Sequence, residues 1–168
     1  MDLSKITVTS DIVNVIIEIG ANAKPVKYEF NKEIGLLQVD RFLSTAMSYP
    51  CNYGFVPNTC AGDGDPVDAL VLTQYPLASG VLISVRLIGA LLTKDEKGED
   101  EKVLAIPVSS VDSYYDNVKN YSDLPKSLLD KIAHFFLHYK DLEERKTVIV
   151  GEWVGMEEAK KIIGNAVR

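Results

Sequence analysis

The sequence predicts an α+β fold: a small closed barrel of about five strands, with flanking helices mainly toward the C-terminal end. Two observations carry this prediction. Segments rich in branched residues fill the first two thirds of the chain, and apolar residues at helical spacing follow in the last third. A length of 168 residues fits one domain, so we expect residues 1–168 to form a single domain without a linker.

The strands are predicted from branched residues and partial alternation of apolar and polar positions. These criteria select six segments: residues 11–19, 27–30, 36–41, 69–72, 81–92 and 103–108. The last two flank the charged segment TKDEKGEDEK, in which Gly98 predicts a hairpin loop. About five such strands fit a closed barrel of the oligonucleotide- and oligosaccharide-binding type.

Two helices are predicted in the last third of the chain. Asp123 and Pro125 form a helix-start signal. Apolar residues then recur at helical spacing: Leu128, Leu129, Ile132, Phe135, Phe136 and Tyr139. A second helix is predicted over residues 156–167, where Glu157 and Lys161 are one helical turn apart.

Composition argues against several classes of function. The chain has 24 acidic and 18 basic residues, a net charge of −6, which disfavours binding to nucleic acid. No apolar run approaches the roughly 20 residues of a membrane span, and the first residues lack the apolar core of a signal peptide. We therefore expect a cytoplasmic protein without a membrane partner, in which Cys51 and Cys60 are free thiols.

The strongest functional signal is the segment 63–68, Asp-Gly-Asp-Pro-Val-Asp. Two carboxylates about 4 Å apart repel by roughly 4 kcal/mol at an effective dielectric near 20, so such a segment needs a cation or full exposure to water. A solvated acidic turn is the plain alternative. An apolar strand after it, the rigid aromatic segment 49–57 before it and a second acidic cluster at 95–101 favour an all-oxygen site for Mg²⁺ or a similar hard cation.

Spacing argues against two other kinds of metal site. An EF-hand loop from Asp63 would need glycine at position six and glutamate at position twelve, where this chain has Asp68 and Gln74. The cysteines do not form a zinc-ligand pattern, and His134 and His138 lack the glutamate of a zinc-protease motif. The two histidines better fit a solvated helix face or a subunit contact.

Basic and phenolic residues also lie beside the predicted elements: Lys27, Arg41, Tyr53, Lys102, Tyr139 and Lys140. Each taken singly is more often a surface charge or a core tyrosine. Next to a metal-binding acidic site they fit one type of ligand, a polyphosphate. Arg, Lys and Tyr can bind directly the polyphosphate oxygens that do not bind the metal ions.

The chain resembles the soluble, single-domain, magnesium-dependent inorganic pyrophosphatases in their short bacterial form. The signature DGDPVDA carries the resemblance, and it extends in order through EIGANAKPVKYEF, VDRFLSTAMSYPCNYGFVPNT, KDEKGEDEK and IAHFFLHYKDLE. It implies a five-stranded barrel and hydrolysis of pyrophosphate to two phosphates. It also implies several Mg²⁺ ions per active site, which other divalent ions can replace, and a homohexamer with His134 and His138 as contact residues.

The resemblance further implies a role for each matching residue. The metal ligands would be Asp63, Asp68, Asp100, Asp95 and Glu18, and Asp65 would orient and deprotonate the attacking water. Phosphate oxygens would be held by Lys27, Arg41, Tyr53, Lys102, Tyr139 and Lys140, with Glu29, Tyr49 and Glu96 in support. The family has proline two residues after the glutamate that matches Glu18; this chain has Gly20, which frees backbone that proline would fix.

Two other functions stay open from the residues alone. One is a binding module that holds a divalent ion or a nucleic acid without turnover, although it leaves the basic and phenolic set unexplained. The other is a metal phosphohydrolase acting on nucleotides or sugar phosphates. The chain has no G-x-x-x-x-G-K-[ST] loop, which weakens a nucleotide-dependent role.

Overall fold

A computed structural model describes Leu3, Ile6, Val8, Thr9 and residues 11–168. Within this part, the chain forms nine strands and two α-helices: β1 Val13–Ile19, β2 Val26–Asn31, β3 Leu36–Phe42, β4 Asn52–Phe55, β5 Asp68–Val71, β6 Leu82–Asp95, β7 Gly98–Glu99, β8 Lys102–Pro107, α1 Lys126–His138, β9 Val148–Gly155 and α2 Met156–Ala166. A short 3-10 helix, Tyr121–Asp123, precedes α1. Neither α-helix of the described chain has the length and apolar character needed to cross a bilayer.

Seven strands form one mixed sheet, which we call the main sheet, and β2 and β3 form a separate two-stranded sheet, which we call the ribbon. In the main sheet, β1 pairs with β4, β4 with β5, β5 with β8 and β8 with β6. Strand β6 also pairs with β1, β7 and β9. The β5–β8 pair is parallel, and the other pairs are antiparallel.

The main sheet separates two buried apolar clusters. Neighbouring strand residues point to opposite faces, so Val103 of β8 joins one cluster and Leu104 joins the other. Phe136 of α1 packs in the cluster of Leu104, and Ile163 of α2 packs in the cluster of Val103. The helices thus cover opposite faces of the same sheet.

The predicted combination of strands with C-terminal helices is confirmed. All six predicted strand segments overlap observed strands, both helices form close to their predicted bounds, and the charged segment turns between β6 and β7 as a hairpin. Three strands were missed: β4, β9 and the two-residue β7, which lies within the predicted hairpin loop. Strand β4 is short and contains no branched residue, and in β9 Gly151 and Glu152 interrupt the apolar pattern. Because β9 lies between α1 and α2, the strands do not all precede the helices.

Candidate active site

One cavity of about 470 Å³ is lined by the ribbon, by β1, β4 and β5, and by the connections around them. Its charged lining includes nine carboxylates: Glu18, Glu29, Asp40, Asp63, Asp65, Asp68, Asp95, Glu96 and Asp100. It also includes seven cations: Lys27, Lys32, Arg41, Lys97, Lys102, Lys140 and Lys146. Tyr53 and Tyr139 line it as well. Of the site residues named from the sequence, Tyr49 alone is not in the lining; its ring packs 5.0 Å from that of Tyr53.

The acidic signature forms a tight turn that leads into β5. Gly64 has φ +92°, a backbone conformation that favours glycine. The Asp65 N–H donates to the Asp63 carboxylate at 3.0 Å, and the Ala61 N–H donates to the Asp65 carbonyl at 2.7 Å. These bonds fix the backbone and leave the Asp65 side chain 63% exposed, with Lys97 Nζ 3.5 Å from its carboxylate. Asp65 is therefore accessible to a ligand in the cavity.

A buried lysine joins two of the expected metal ligands. Lys102 Nζ donates to Asp68 Oδ2 at 2.6 Å and to Asp100 Oδ2 at 2.9 Å, with a side chain only 2% exposed. The Tyr53 hydroxyl donates to the same Asp68 oxygen at 2.6 Å. Burial acts to lower the pKa of Lys102, but Asp68 and Asp100 outweigh it and raise that pKa above its usual range. Lys102 is thus a permanent positive charge at the base of the cavity.

Glu18 reaches the cavity through a β-bulge. The pairing of β1 with β4 shifts between Ile17 and Ile19, so Glu18 is the extra residue, and bulges of this kind re-aim a side chain. Its carboxylate accepts the Phe30 N–H at 2.7 Å, which ties β1 to the ribbon. A Cβ on Gly20 would lie 2.3 Å from the Leu77 carbonyl oxygen, so this glycine allows close backbone packing. The glutamate is therefore buried and held despite the glycine two residues later.

Two cavity acids have raised pKa values. Burial, with a contribution from Asp68, raises the pKa of Glu18 to about 8. Burial also raises the pKa of Asp100 to about 7, with Asp68 and Asp95 adding to the effect and Lys102 opposing it. Carboxylates crowded in a low dielectric favour their neutral form, so added positive charge would be needed to keep them all ionised.

A second bulge brings Asp40 beside Arg41. Lys27 pairs with Arg41 and Tyr28 pairs with Val39, which leaves Asp40 as the extra residue of β3. Asp40 Oδ2 accepts from Arg41 Nη1 at 2.5 Å and lies 3.4 Å from Lys27 Nζ. Burial acts to raise the pKa of Asp40, but Lys27 and Arg41 outweigh it and lower the pKa.

Arg41 is held at a second point, outside the ribbon. Its Nε donates to Glu143 Oε1 at 2.9 Å. Among the described residues, Arg41 Nη2 makes no hydrogen bond. On the same ribbon, Lys27 pairs closely with Glu29. The ribbon thus brings two cations to the cavity, each with a carboxylate partner.

The C-terminal end of α1 supplies a third part of the wall. Lys140 Nζ lies 3.9 Å from Asp95 Oδ2 and 5.5 Å from the centre of the Tyr139 ring. Burial lowers the pKa of Lys140, and nearby acids, Glu96 first among them, oppose that shift. Burial raises the pKa of Tyr139, so its hydroxyl stays protonated near neutral pH.

The donor set fits a hard cation by its chemistry. Asp68 and Asp100 converge on the Lys102 ammonium group, whereas the Asp63 carboxylate accepts a backbone N–H. Across Leu3, Ile6, Val8, Thr9 and residues 11–168, no three His, Cys, Asp or Glu side chains are arranged around one point as ligands. All five expected ligands line the one cavity and offer only oxygen, which suits Mg²⁺ rather than a soft metal.

Several residues of this region were not singled out from the sequence: Lys32, Asp40, Lys97, Lys146 and Glu143. Asp40 is adjacent to Arg41, and strict alternation would put the two on opposite faces, so only the bulge reveals it. Glu143 could have been identified from the sequence, because it is the last residue of the family-like stretch IAHFFLHYKDLE.

The two histidines lie outside the cavity lining. His134 is exposed, its ring centre lies 4.5 Å from that of His138, and His138 Nδ1 is 2.8 Å from Asp141 Oδ2. Cys51 is buried and Cys60 half-buried, and both are free thiols as predicted. Burial raises the pKa of Cys51 to about 12.

Comparison with known proteins identifies relatives along the whole chain. The family model described as inorganic pyrophosphatase matches residues 15–168. An inorganic pyrophosphatase of Rickettsia felis is 47% identical over 167 residues, which are 99% of this chain and 96% of that protein. A crystal structure of an inorganic phosphatase from Anaplasma phagocytophilum has a TM-score of 0.96 at 55% identity, covering 99% of this chain and 97% of that one. The inorganic pyrophosphatase of Helicobacter pylori gives a TM-score of 0.94 at 46% identity, covering 97% and 95%.

Proposed function

The chain belongs to the inorganic pyrophosphatase family, and we propose that it hydrolyses inorganic pyrophosphate to two phosphates. The observation that carries the proposal is the cavity, where carboxylates and cations drawn from distant parts of the sequence meet. Acids alone would suit an ion store, and cations alone would suit an anion-binding protein. Their combination suits a small, highly charged anion that arrives with metal ions.

We propose that the acids hold Mg²⁺. Asp63, Asp68 and Asp100 would bind the first ion, and Asp95 and Glu18 would bind further ions. When bound, these ions lower the pKa of a coordinated water and neutralise charge on the phosphates. Other divalent ions of similar hardness could replace Mg²⁺. The raised pKa values of Glu18 and Asp100 support this assignment, because both groups lack sufficient positive charge nearby.

Asp65 is our candidate for the general base. Its carboxylate is exposed to the cavity and its backbone is fixed by the turn, so it can orient an attacking water and accept its proton. Among the described residues, Lys97 is its one ion-pair partner, and a pair this exposed is weak enough to separate.

The cations and phenols would bind the phosphate oxygens: Lys27, Arg41, Tyr53, Lys102, Tyr139 and Lys140. Arg41 has Nη2 available, and Lys140 lies between the acids and the ring of Tyr139. Lys102 and Tyr53 already donate to Asp68, so they would also set the position of that ligand. Glu29, Glu96 and Tyr49 would support the neighbouring cations and phenols. Phosphoryl transfer needs mainly such positioning and charge neutralisation.

Phosphate release from three substrates tests the proposal. Pyrophosphate, ATP and a sugar phosphate are each incubated with the protein, once with Mg²⁺ and once with a chelator. We expect release from pyrophosphate that requires the metal and exceeds release from the other two. Release from the sugar phosphate alone would overturn the assignment in favour of another phosphohydrolase, and no release from any of them would favour a binding module.

Further expectations concern the whole protein. We propose that residues 1–168 form one domain and that β1, β4, β5, β8 and β6 close into a barrel, supported by the pairing of β6 with both β8 and β1. We also propose a cytoplasmic homohexamer with contacts at His134 and His138. Sedimentation tests this; a single monomeric species would contradict it.

A further inference from the structure

Glu143 joins the ribbon to the segment that follows α1. Its Oε1 accepts from Arg41 Nε at 2.9 Å, although 102 positions separate the two residues in sequence. Its backbone N–H donates to the Lys140 carbonyl at 2.9 Å, and its side chain is only 10% exposed. Glu143 thus binds Arg41 through its carboxylate and the turn that contains Lys140 through its backbone. Lys140 is another cation of the cavity.

The Glu143 carboxylate is ionised between two cations, Arg41 and Lys146. Glu143 Oε2 is buried without a hydrogen bond of good geometry, and its nearest cation is Lys146 Nζ at 3.1 Å. Burial acts to raise the pKa of Glu143, but Arg41 and Lys146 outweigh it and lower the pKa, so the group is ionised. A buried negative charge beside an anion site also repels the anion. Glu143 must therefore provide something that offsets this repulsion.

We propose that Glu143 is a positioning residue that fixes the Arg41 guanidinium for a phosphate oxygen. Asp40 holds Nη1 and Glu143 holds Nε, so the plane of the guanidinium cannot turn about the end of the side chain. Nη2 remains for the ligand, in a direction set before the ligand arrives. Arg binds phosphate well when its planar fork is preorganised, which is the benefit that Glu143 supplies. The inference rests on the proposed function.

A purely structural tie makes a different prediction. If Glu143 only fastened the ribbon, its loss would harm the enzyme whether or not Arg41 were present. If it acts through Arg41, its loss has no further consequence once the guanidinium is gone. A double-mutant cycle between the two positions separates these cases.

The experiment measures kcat and KM for pyrophosphate, with Mg²⁺, in wild type, Glu143→Ala, Glu143→Gln, Arg41→Ala and both double variants. We expect Glu143→Ala to raise KM about fivefold with a smaller change in kcat, because a misplaced donor weakens binding. Glu143→Gln keeps an acceptor for Nε and should raise KM about twofold to threefold. In the Arg41→Ala background, either change should alter kcat/KM by less than about twofold.

Glu144→Gln is the matched control, since Glu144 is the adjacent residue and its side chain is exposed. It removes the same charge and should leave KM within about twofold of wild type. Thermal unfolding of every variant shows which ones fold. If Glu143→Ala does not fold, the double-mutant cycle of Glu143→Gln with Arg41→Ala distinguishes the two cases by the same criterion. Equal losses in both backgrounds, or an unchanged KM, would overturn the inference. Absence of phosphate release by wild type would instead overturn the proposed function.

Discussion

The main sheet and the ribbon contribute to one cavity but are held in different ways. In β5 and β8 nearly every residue is buried, whereas every residue of β2 is only half-buried, and β3 is mostly exposed. The main sheet and its loops bring Asp63, Asp65, Asp68 and Asp100, while the ribbon brings Lys27 and Arg41. Packing fixes the strands of the main sheet and hydrogen bonds fix the turn of Asp63 and Asp65. A few polar contacts fix the ribbon, notably those of Glu18 and Glu143.

This difference indicates a division of work within the site. Groups that must hold metal ions within tenths of an ångström lie on a frame fixed by its apolar core. Two of the groups that would meet the substrate, Lys27 and Arg41, lie on the less buried ribbon. Substitutions at the acids should therefore affect turnover, and substitutions on the ribbon should affect substrate affinity. The predictions below test that division.

The largest effect is expected at Asp65. Asp65→Asn keeps the shape of the side chain but removes the proton acceptor, so kcat should fall at least about a hundredfold, the lower end for general base catalysis. The fold should persist, because the exposed carboxylate makes one weak ion pair, with Lys97. Steady-state phosphate release at saturating Mg²⁺ measures the loss.

Asp130→Asn is the matched control for this change. Asp130 is an exposed residue of α1 whose ion pair with Lys126 lies on the helix surface. We expect kcat within about twofold of wild type. Full activity of Asp65→Asn would remove Asp65 from the role of base and place the catalytic group elsewhere in the cavity.

The two regions should also differ in the sign of their pH dependence. Glu18 has a folded-state pKa of about 8, above its ordinary value of 4.5, so the native protein keeps a proton that the unfolded chain loses. Its contribution therefore lowers the free energy of unfolding as pH rises from about 4.5 toward about 8. Asp40 and Glu143 have lowered pKa values, so their contribution is complete above their ordinary pKa and is lost as pH falls.

Urea unfolding in a chelator checks this contrast. We expect wild type to lose at least about 3 kcal/mol between pH 5 and pH 8, mainly through Glu18 and in part through Asp100. Glu18→Gln should reduce that loss by at least half, whereas Glu152→Gln, at an exposed residue of β9, should leave it unchanged. If the free energy of unfolding of wild type instead rises between pH 5 and pH 8, Glu18 is ionised in the native protein and its charge is balanced by nearby positive charge.

Gly20 tests the connection between the two regions, since it lies between β1 and β2. Gly20→Ala would place a Cβ 2.3 Å from the Leu77 carbonyl oxygen, and we expect it to cost about 1–3 kcal/mol of unfolding free energy. Gly164→Ala in α2 has open space around the new Cβ and should stabilise by up to about 1 kcal/mol. If Gly20→Ala unfolds like wild type, the backbone near Leu77 moves easily and the ribbon is not rigidly attached.

The sequence predicted the fold wherever a side-chain pattern matched a backbone period. Strand β1 was found from its branched residues, although it is buried on both faces, and helix α1 was found from apolar residues at the spacing of an amphipathic helix. Strand β4, Asn-Tyr-Gly-Phe, escaped because it is short and contains no branched residue. The bulges at Glu18 and Asp40 escaped as well, because register depends on the partner strand rather than on the strand itself.

For the site, the sequence predicted the residues but not the contacts between them. The residue types and their family motifs named most of the charged lining, but not which charge neutralises which. The contact of Lys102 with Asp68 and Asp100 depends on the parallel pairing of β5 with β8. The contact of Arg41 with Glu143 depends on tertiary packing across 102 positions. Pairings of this kind follow from the fold and leave no local pattern in the sequence.

A smaller activity effect than at Asp65 is expected on the ribbon, at Arg41. Arg41→Ala removes a phosphate-binding donor while the acids and Asp65 stay in place, so KM should rise about tenfold and kcat should fall less than KM rises. Arg145→Ala removes an exposed arginine outside the cavity lining and should change neither constant by more than about twofold. A loss confined to kcat would contradict the division of work, because Arg41 would then act only in the transition state, as the main-sheet groups are expected to do.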